Sequence, residues 1–188
     1  SGGGVVLVNV TGALYVGGSI NANGADGSAD SGSNYAGAGG GSGGSILVYA
    51  SSVSGSGTIT AIGGGGGASN SGYSYGGGGG GGGRIAVYSL ASLSSSTVLQ
   101  TYGGAGDGGK AGGPGTTFTW VAGVRVLVVD NSAQTSDLTG GDIRLPASGS
   151  GTLYLDTLTI KDSHVTIDYD LSVVSLLASS STVTSSKP

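Results

Sequence analysis

Short apolar runs in two-residue alternation recur along the chain, and none carries the three-to-four-residue spacing of a helix. Ser45-Ile46-Leu47-Val48-Tyr49 follows Gly43-Gly44. Arg84-Ile85-Ala86-Val87-Tyr88 follows Gly82-Gly83, with Ile85 standing 39 residues beyond Ile46. Gly18-Ser19-Ile20-Asn21-Ala22 and Gly57-Thr58-Ile59-Thr60-Ala61 repeat at the same spacing of 39. A further copy opens the chain at Gly3-Gly4-Val5-Val6-Leu7-Val8, with Val8 40 residues before Val48. Each unit therefore reads as a strand, a short turn, a second strand and a long Gly/Ser return. A fixed period of this length marks stacked repeats. Propeller blades need four strands and aromatic signatures that are missing, so the predicted fold is all-β, a parallel β-helix or β-solenoid with like strands in parallel sheets.

From about Gly103 the pattern loosens. Thr116-Thr117-Phe118-Thr119-Trp120-Val121 reads as a strand at a shorter offset, and Gly123-Val124-Arg125-Val126-Leu127-Val128-Val129-Asp130-Asn131 as the next, closed by an Asp-Asn turn. Leu153-Tyr154-Leu155, Leu158-Thr159-Ile160, Val165-Thr166-Ile167 and Leu171-Ser172-Val173 follow with polar turns between them. Residues 1–120 are expected to form glycine-rich repeats of about 39 residues, and 121–188 more conventional β-helical coils continuous with them.

The glycine segments change the picture most. Eight consecutive glycines, Gly76 to Gly83, run directly into a strand. Glycine loses more conformational freedom on folding than any other residue, so such a run belongs in an ordered unit only where backbones approach too closely for side chains. Stacked extended segments pairing backbone to backbone, in the manner of polyproline II, meet that requirement; mobile glycine loops are the alternative. Gly79→Val or Gly80→Val is disruptive in the first case and tolerated in the second. A phosphate cradle is disfavoured: any polyglycine run matches G-x-G-x-x-G, and no Lys-Ser/Thr follows. No cofactor is expected.

Composition narrows the classes further. The 188 residues include 44 glycines, far above the roughly 7% of ordinary proteins, while charged residues make up only 9%. Low charge and average hydrophobicity argue against disorder. Three prolines and no strict Gly-X-Y register argue against collagen. The net charge is −4 and the six Lys and Arg are scattered singly, so no nucleic-acid partner is expected. No apolar run is long enough for membrane insertion. Cysteine is absent, which excludes disulfides and thiolate metal sites. The chain starts inside a motif and is expected to be a mature product or a segment of something longer.

Candidate chemistry is sparse. Asp168 and Asp170 share one strand face, but a glycosidase needs a second carboxylate across a cleft. Asp26, Asp30, Asn21, Asn23 and Asn34 offer oxygen ligands to calcium, and Gly103-Gly104-Ala105-Gly106-Asp107 partly matches a calcium-binding nonapeptide without iterating. His164 is the only histidine, and no nucleophile-elbow motif supports a Ser-His-Asp triad around it. The chain is not expected to be an enzyme. Asn9-Val10-Thr11 is the single N-glycosylation sequon. Tyr35, Tyr73, Tyr75 and Tyr102 lie beside glycine loops, where their rings can stack on sugars or staple the loop edges.

The Gly-Gly-Gly-x-Gly-Gly-x-Ile-x-Val and Gly-x-Ile-x-Ala-x-Gly-Gly patterns, followed by Val-Asp-Asn, resemble glycine-rich β-helix segments of large secreted or cell-surface microbial proteins over about residues 1–131. The resemblance implies an extracellular or cell-surface structural role as a fibre, coat or adhesin component. Three expectations follow. The first is a filament or coat subunit, glycosylated and joined to copies of itself or to other segments of a longer chain through open ends. The second is an adhesin module that binds glycans. The third is a polysaccharide-degrading β-helix enzyme.

Overall fold

A computed structural model describes residues 1–29, 36–69, 76–131, 142–145, 152–168 and 170–185. It is all-β, with no helix among the described residues. The first unit folds into β1 (Val5–Asn9), β2 (Ala13–Tyr15) and β3 (Ser19–Asn21). The second gives β4 (Ser45–Ala50), β5 (Ser52–Ser54) and β6 (Thr58–Thr60). The third gives β7 (Arg84–Ser89) and β8 (Val98–Gln100), with Leu93 bridged to Val53 in place of a third short strand. Equivalent strands lie side by side and parallel, in the register that the repeat requires: Val6 faces Ile46, Ile46 faces Ile85, and Ile20 faces Ile59. Alternation then turns Ile46, Val48, Ile85 and Val87 inward against Val53 and Ile59, and none of the six is more than 2% exposed. Each such burial contributes roughly 1.5–3 kcal/mol.

Between short and long strands the chain runs out and back as paired glycine segments: 22–29 with 36–44, 61–69 with 76–83, and 101–107 with 109–115. Backbone hydrogen bonds recur every third residue and turn to a new neighbour at each step. Along 76–83, the N–H groups of Gly77, Gly80 and Gly83 donate to Gly67, Gly64 and Ala61 of the same unit. Those of Gly79 and Gly82 donate to Lys110 and Gly113 of the next, and the carbonyls of Gly78 and Gly81 accept from Gly40 and Gly43 of the unit before, all at 2.7–2.9 Å. Positive φ is not why glycine is needed, because only Gly55, Gly108 and Gly123 adopt it among the described glycines. Close approach is the reason. A Cβ on Gly80 would stand 2.0 Å from the Gly41 carbonyl oxygen, whereas one on Gly81 would meet nothing within 4 Å.

This glycine layer is bounded on both sides. Ala25, Ser28 and Ala38 occupy the first-unit positions equivalent to Gly64, Gly67 and Gly77, and there the side chains point away from the other units. On the far side Asn131, 3% exposed, accepts the Gly103 N–H at Oδ1 (3.1 Å) and donates from Nδ2 to the Gly112 carbonyl (3.2 Å). Gly63 N–H and the Gly80 carbonyl, the equivalent groups one unit earlier, are bonded to Tyr102 and Gly104 of the following unit. One side-chain amide thus replaces two backbone contacts of a further glycine unit.

β9 (Gly115–Val121) extends the ladder in parallel beside β7, and then the chain reverses. Ala122 (φ 49°) and Gly123 (φ 85°) make a two-residue turn with both φ positive, as in a type I′ hairpin. β10 (Val124–Asp130) therefore returns antiparallel to β9. This corrects the expectation of uniformly parallel sheets. β11 (Asp142–Leu145), β12 (Leu153–Lys161), β13 (His164–Ile167), β14 (Leu171–Ser179) and β15 (Thr182–Ser185) follow. The result is one mixed seven-stranded sheet, β1-β4-β7-β9-β10-β12-β14, with β11-β13-β15, β2-β5 and β3-β6-β8 as smaller sheets. From β12 to β14 and from β13 to β15 the parallel registers step by 18 residues, as between the Ser163 and Ser181 turns.

The reversal also changes which face is interior. One cross-strand row runs Leu7, Leu47, Ala86, Phe118, Leu127, Leu158, Leu176. At its start Leu7 is 64% exposed; in its middle Leu127 and Leu158 are buried, packed with Val129, Leu155, Ile160 and Val165 into a second core. The opposite row runs Val8, Val48, Val87, Thr119, Val126, Thr157, Ser175, apolar where the first three units cover it and mostly hydroxylated beyond. One sheet thus carries two cores on opposite faces.

Candidate functional site

The uncovered outer face of the first three units holds the densest cluster of aromatic side chains among the described residues. Alternation that sends Ile46, Val48, Ile85 and Val87 inward sends Tyr49 and Tyr88 outward. The 39-residue register places them side by side, with rings 4.8 Å apart and 19° from parallel. Trp120 on β9 lies opposite Tyr88, with ring centres 6.0 Å apart at 60°, and Phe118 approaches Tyr88 at 5.8 Å. Arg125, opposite Trp120 across the hairpin, holds its guanidinium 5.4 Å from the indole centre, a cation–π contact. At the other end of the row Asn9 faces Tyr49 across β1 and β4. The full row is Asn9, Tyr49, Tyr88, Trp120, Arg125.

Where these strands end, a cleft of about 560 Å³ opens beside the rings. Its described lining combines Tyr49, Tyr88 and Trp120 with Thr11, Ser51 and Ser89, backed by Val10, Ala50 and Leu90. No charged side chain is among these. Ser89 is 5% exposed and donates its hydroxyl hydrogen to the carbonyl of Ser92 (2.7 Å) and, at longer range, of Ser51 (3.3 Å), which sets the cleft floor. A cleft of this size with aromatic walls and a few hydroxyls has the character of a small-ligand site. Its described lining offers contact and hydrogen bonding and includes no carboxylate or imidazole.

The candidates drawn from the sequence lie elsewhere, apart from Asn9 and Thr11. Both of those are exposed, so the sequon is accessible in the folded chain. Tyr102 is half-buried on the outward row of a glycine segment and lines a second cleft of about 530 Å³ with Val98, Thr119 and Asp130. Tyr35, Tyr73 and Tyr75, like Asp30 and Asn34, lie outside the described residues. Asn23 and Asp26 use their Oδ1 atoms to accept the N–H groups of Ile62 (2.9 Å) and Gly65 (2.7 Å). Both residues act as outer-row clasps between the first two units. Asp107 is exposed at the tip of the third glycine return. Asp168 is half-buried and Asp170 exposed, just before β14, and His164 opens β13 opposite Asp142. Among the described residues no three His, Cys, Asp or Glu gather as a metal site, and no helix is long and apolar enough to cross a membrane.

The aromatic row was legible in principle. Tyr49 and Tyr88 close the two matching strand motifs, and the period that aligns the motifs stacks the rings. No protein-family model, curated protein or solved structure matches the chain.

Proposed function

We propose that this chain is a structural segment of an extracellular filament or surface coat. In this reading it is a β-solenoid whose returns form polyglycine II-like layers, and copies join through the edges of the seven-stranded sheet. The three-residue hydrogen-bond period of the glycine segments is that of polyproline II, which supports the first part. The observation that carries the second is the state of the two edges. β1 and β14 are the outermost strands of the sheet. Val5 and Leu7 on one, and Val174, Leu176 and Leu177 on the other, are 55–85% exposed. Neither strand contains Pro, Lys, Arg, Asp or Glu, the residues with which natural sheets blunt an edge. Because the hairpin reverses the strand direction, β14 of one copy meets β1 of the next antiparallel, and repetition of that contact builds an open polymer.

Light scattering over a concentration series, with negative-stain microscopy of the same samples, tests this. End-to-end assemblies are expected, and they should be lost in the Val174→Lys/Leu177→Lys double variant. A strictly monomeric globule at every concentration sinks the reading. Assembly untouched by the double variant removes β14 from the contact.

A further inference from the structure

Two independent features converge at one end of the aromatic row. The first is covalent chemistry: Asn9-Val10-Thr11 is the chain's single sequon, and both Asn9 and Thr11 are exposed. The second is an apolar receiving surface. Tyr49 is stacked on Tyr88 on its β7 side, while on its β1 side the neighbour in the row is Asn9. Tyr49 as a whole residue is 40% exposed. Thr11, the third residue of the sequon, lines the same cleft as Tyr49, Tyr88 and Trp120. Every described residue of that lining is uncharged, which favours a neutral, hydroxyl-rich occupant over a phosphate or an acidic peptide.

We propose that Asn9 carries an N-linked saccharide whose first rings pack on the free side of Tyr49 and extend into the cleft. In the modification, Asn9 Nδ2 gives up one proton and bonds the anomeric carbon of a sugar. A diphosphate-linked glycosyl donor supplies the sugar, and the diphosphate departs with the electron pair of the broken C–O bond. Once attached, the apolar C–H face of the first sugar lies against the tyrosine ring. Its hydroxyls reach Thr11 and Ser51, while the stacked tyrosines hold the platform rigid. Tethering supplies the effective concentration, so the cleft needs little intrinsic affinity.

This inference rests on the secreted location in the functional reading above but not on self-association, and a monomeric protein leaves it standing. The test uses the full chain secreted through an N-glycosylating pathway. Mass spectrometry of the peptide containing Asn9 is expected to show an attached saccharide; a bare peptide overturns the proposal. The glycosylated protein is expected to melt roughly 2–4 °C above the Asn9→Gln variant. That difference should vanish in the Tyr49→Ser background and persist in Tyr49→Phe, which keeps the ring face. A difference that survives Tyr49→Ser overturns the packing. If Tyr49→Ser fails to fold, solution NMR of the glycosylated wild type decides instead: contacts between sugar and Tyr49 ring protons support the proposal, and their absence overturns it. Chitobiose added free to Asn9→Gln separates the sources of the sugar. No saturation at millimolar concentration is expected, and tighter binding overturns the tethered assignment in favour of a free ligand.

Discussion

Ile46 and Ile85 on β4 and β7 and Leu158 on β12 are equally buried in one sheet, yet the layers that cover them obey different rules. Over the first three units the inner row is capped by short strands, and the chain then leaves the aliphatic core for a layer of backbone packed on backbone. Past the hairpin the described cover is largely aliphatic, with Val165 of β13 closing on Leu158 and Ile160. An aliphatic core accepts imperfect fit by shifting rotamers. A layer without side chains has nothing to shift except the main chain. The glycine half should therefore be intolerant at some positions and indifferent at their neighbours, while the aliphatic half answers in graded steps.

Three substitutions sharpen that contrast, and each is read by urea denaturation with hydrogen exchange resolved by segment. Gly80→Val is expected to have the largest effect, on the order of 5 kcal/mol or loss of the folded state, since its Cβ would sit 2.0 Å from the Gly41 carbonyl oxygen. Retention of wild-type stability would mean that the segments do not pack as described. Leu158→Ala should cost roughly 2–5 kcal/mol through the cavity it leaves. Its exchange protection should fall in β12 and β13 and stay intact across 61–83; uniform loss would erase the distinction between the two cores. Gly81→Ala should be the mildest, a gain of about 0.4–1 kcal/mol, because its φ is not positive, its Cβ meets nothing, and alanine restricts the unfolded chain. A large loss there would show that the outward row is also in contact.

The sequence made the first of the two halves more legible than the second. A repeat read from Ile46 and Ile85, and from Ile20 and Ile59, gives the strand pairs and their register directly, because equal spacing forces equal neighbours. The close approach of the glycine runs could be argued from conformational entropy alone. What the runs hide is their phase. Glycine has no side chain to mark a face, so nothing in Gly76 to Gly83 distinguishes Gly80 from Gly81. The hairpin was missed because Ala122 occupies a left-handed position usually held by Asn, Asp or Gly. With it went the exchange of interior faces, although the change from Val48 and Val87 to Thr119 and Thr157 along one row records it. The 18-residue step of the second half was faint for a similar reason: His164-Val165-Thr166-Ile167 and Thr182-Val183-Thr184-Ser185 share only the central Val-Thr pair. The aromatic row was hidden for a different reason. Proximity to glycine selected Tyr102, whereas alternation within a repeated strand would have selected Tyr49 and Tyr88.

Asn131 has a consequence for how such a chain can change over generations. By satisfying Gly103 and Gly112 with its amide, it ends the glycine stack without depending on how many units came before. An in-frame duplication of 39 codons within the stack adds one unit, strands and glycine return together, and leaves the length of every other glycine path unchanged. The new unit would meet its neighbours as its parent did, beneath the same terminal amide. Length then becomes a heritable variable that a single duplication or deletion can reset, while the hairpin and the aliphatic half pass through unaltered.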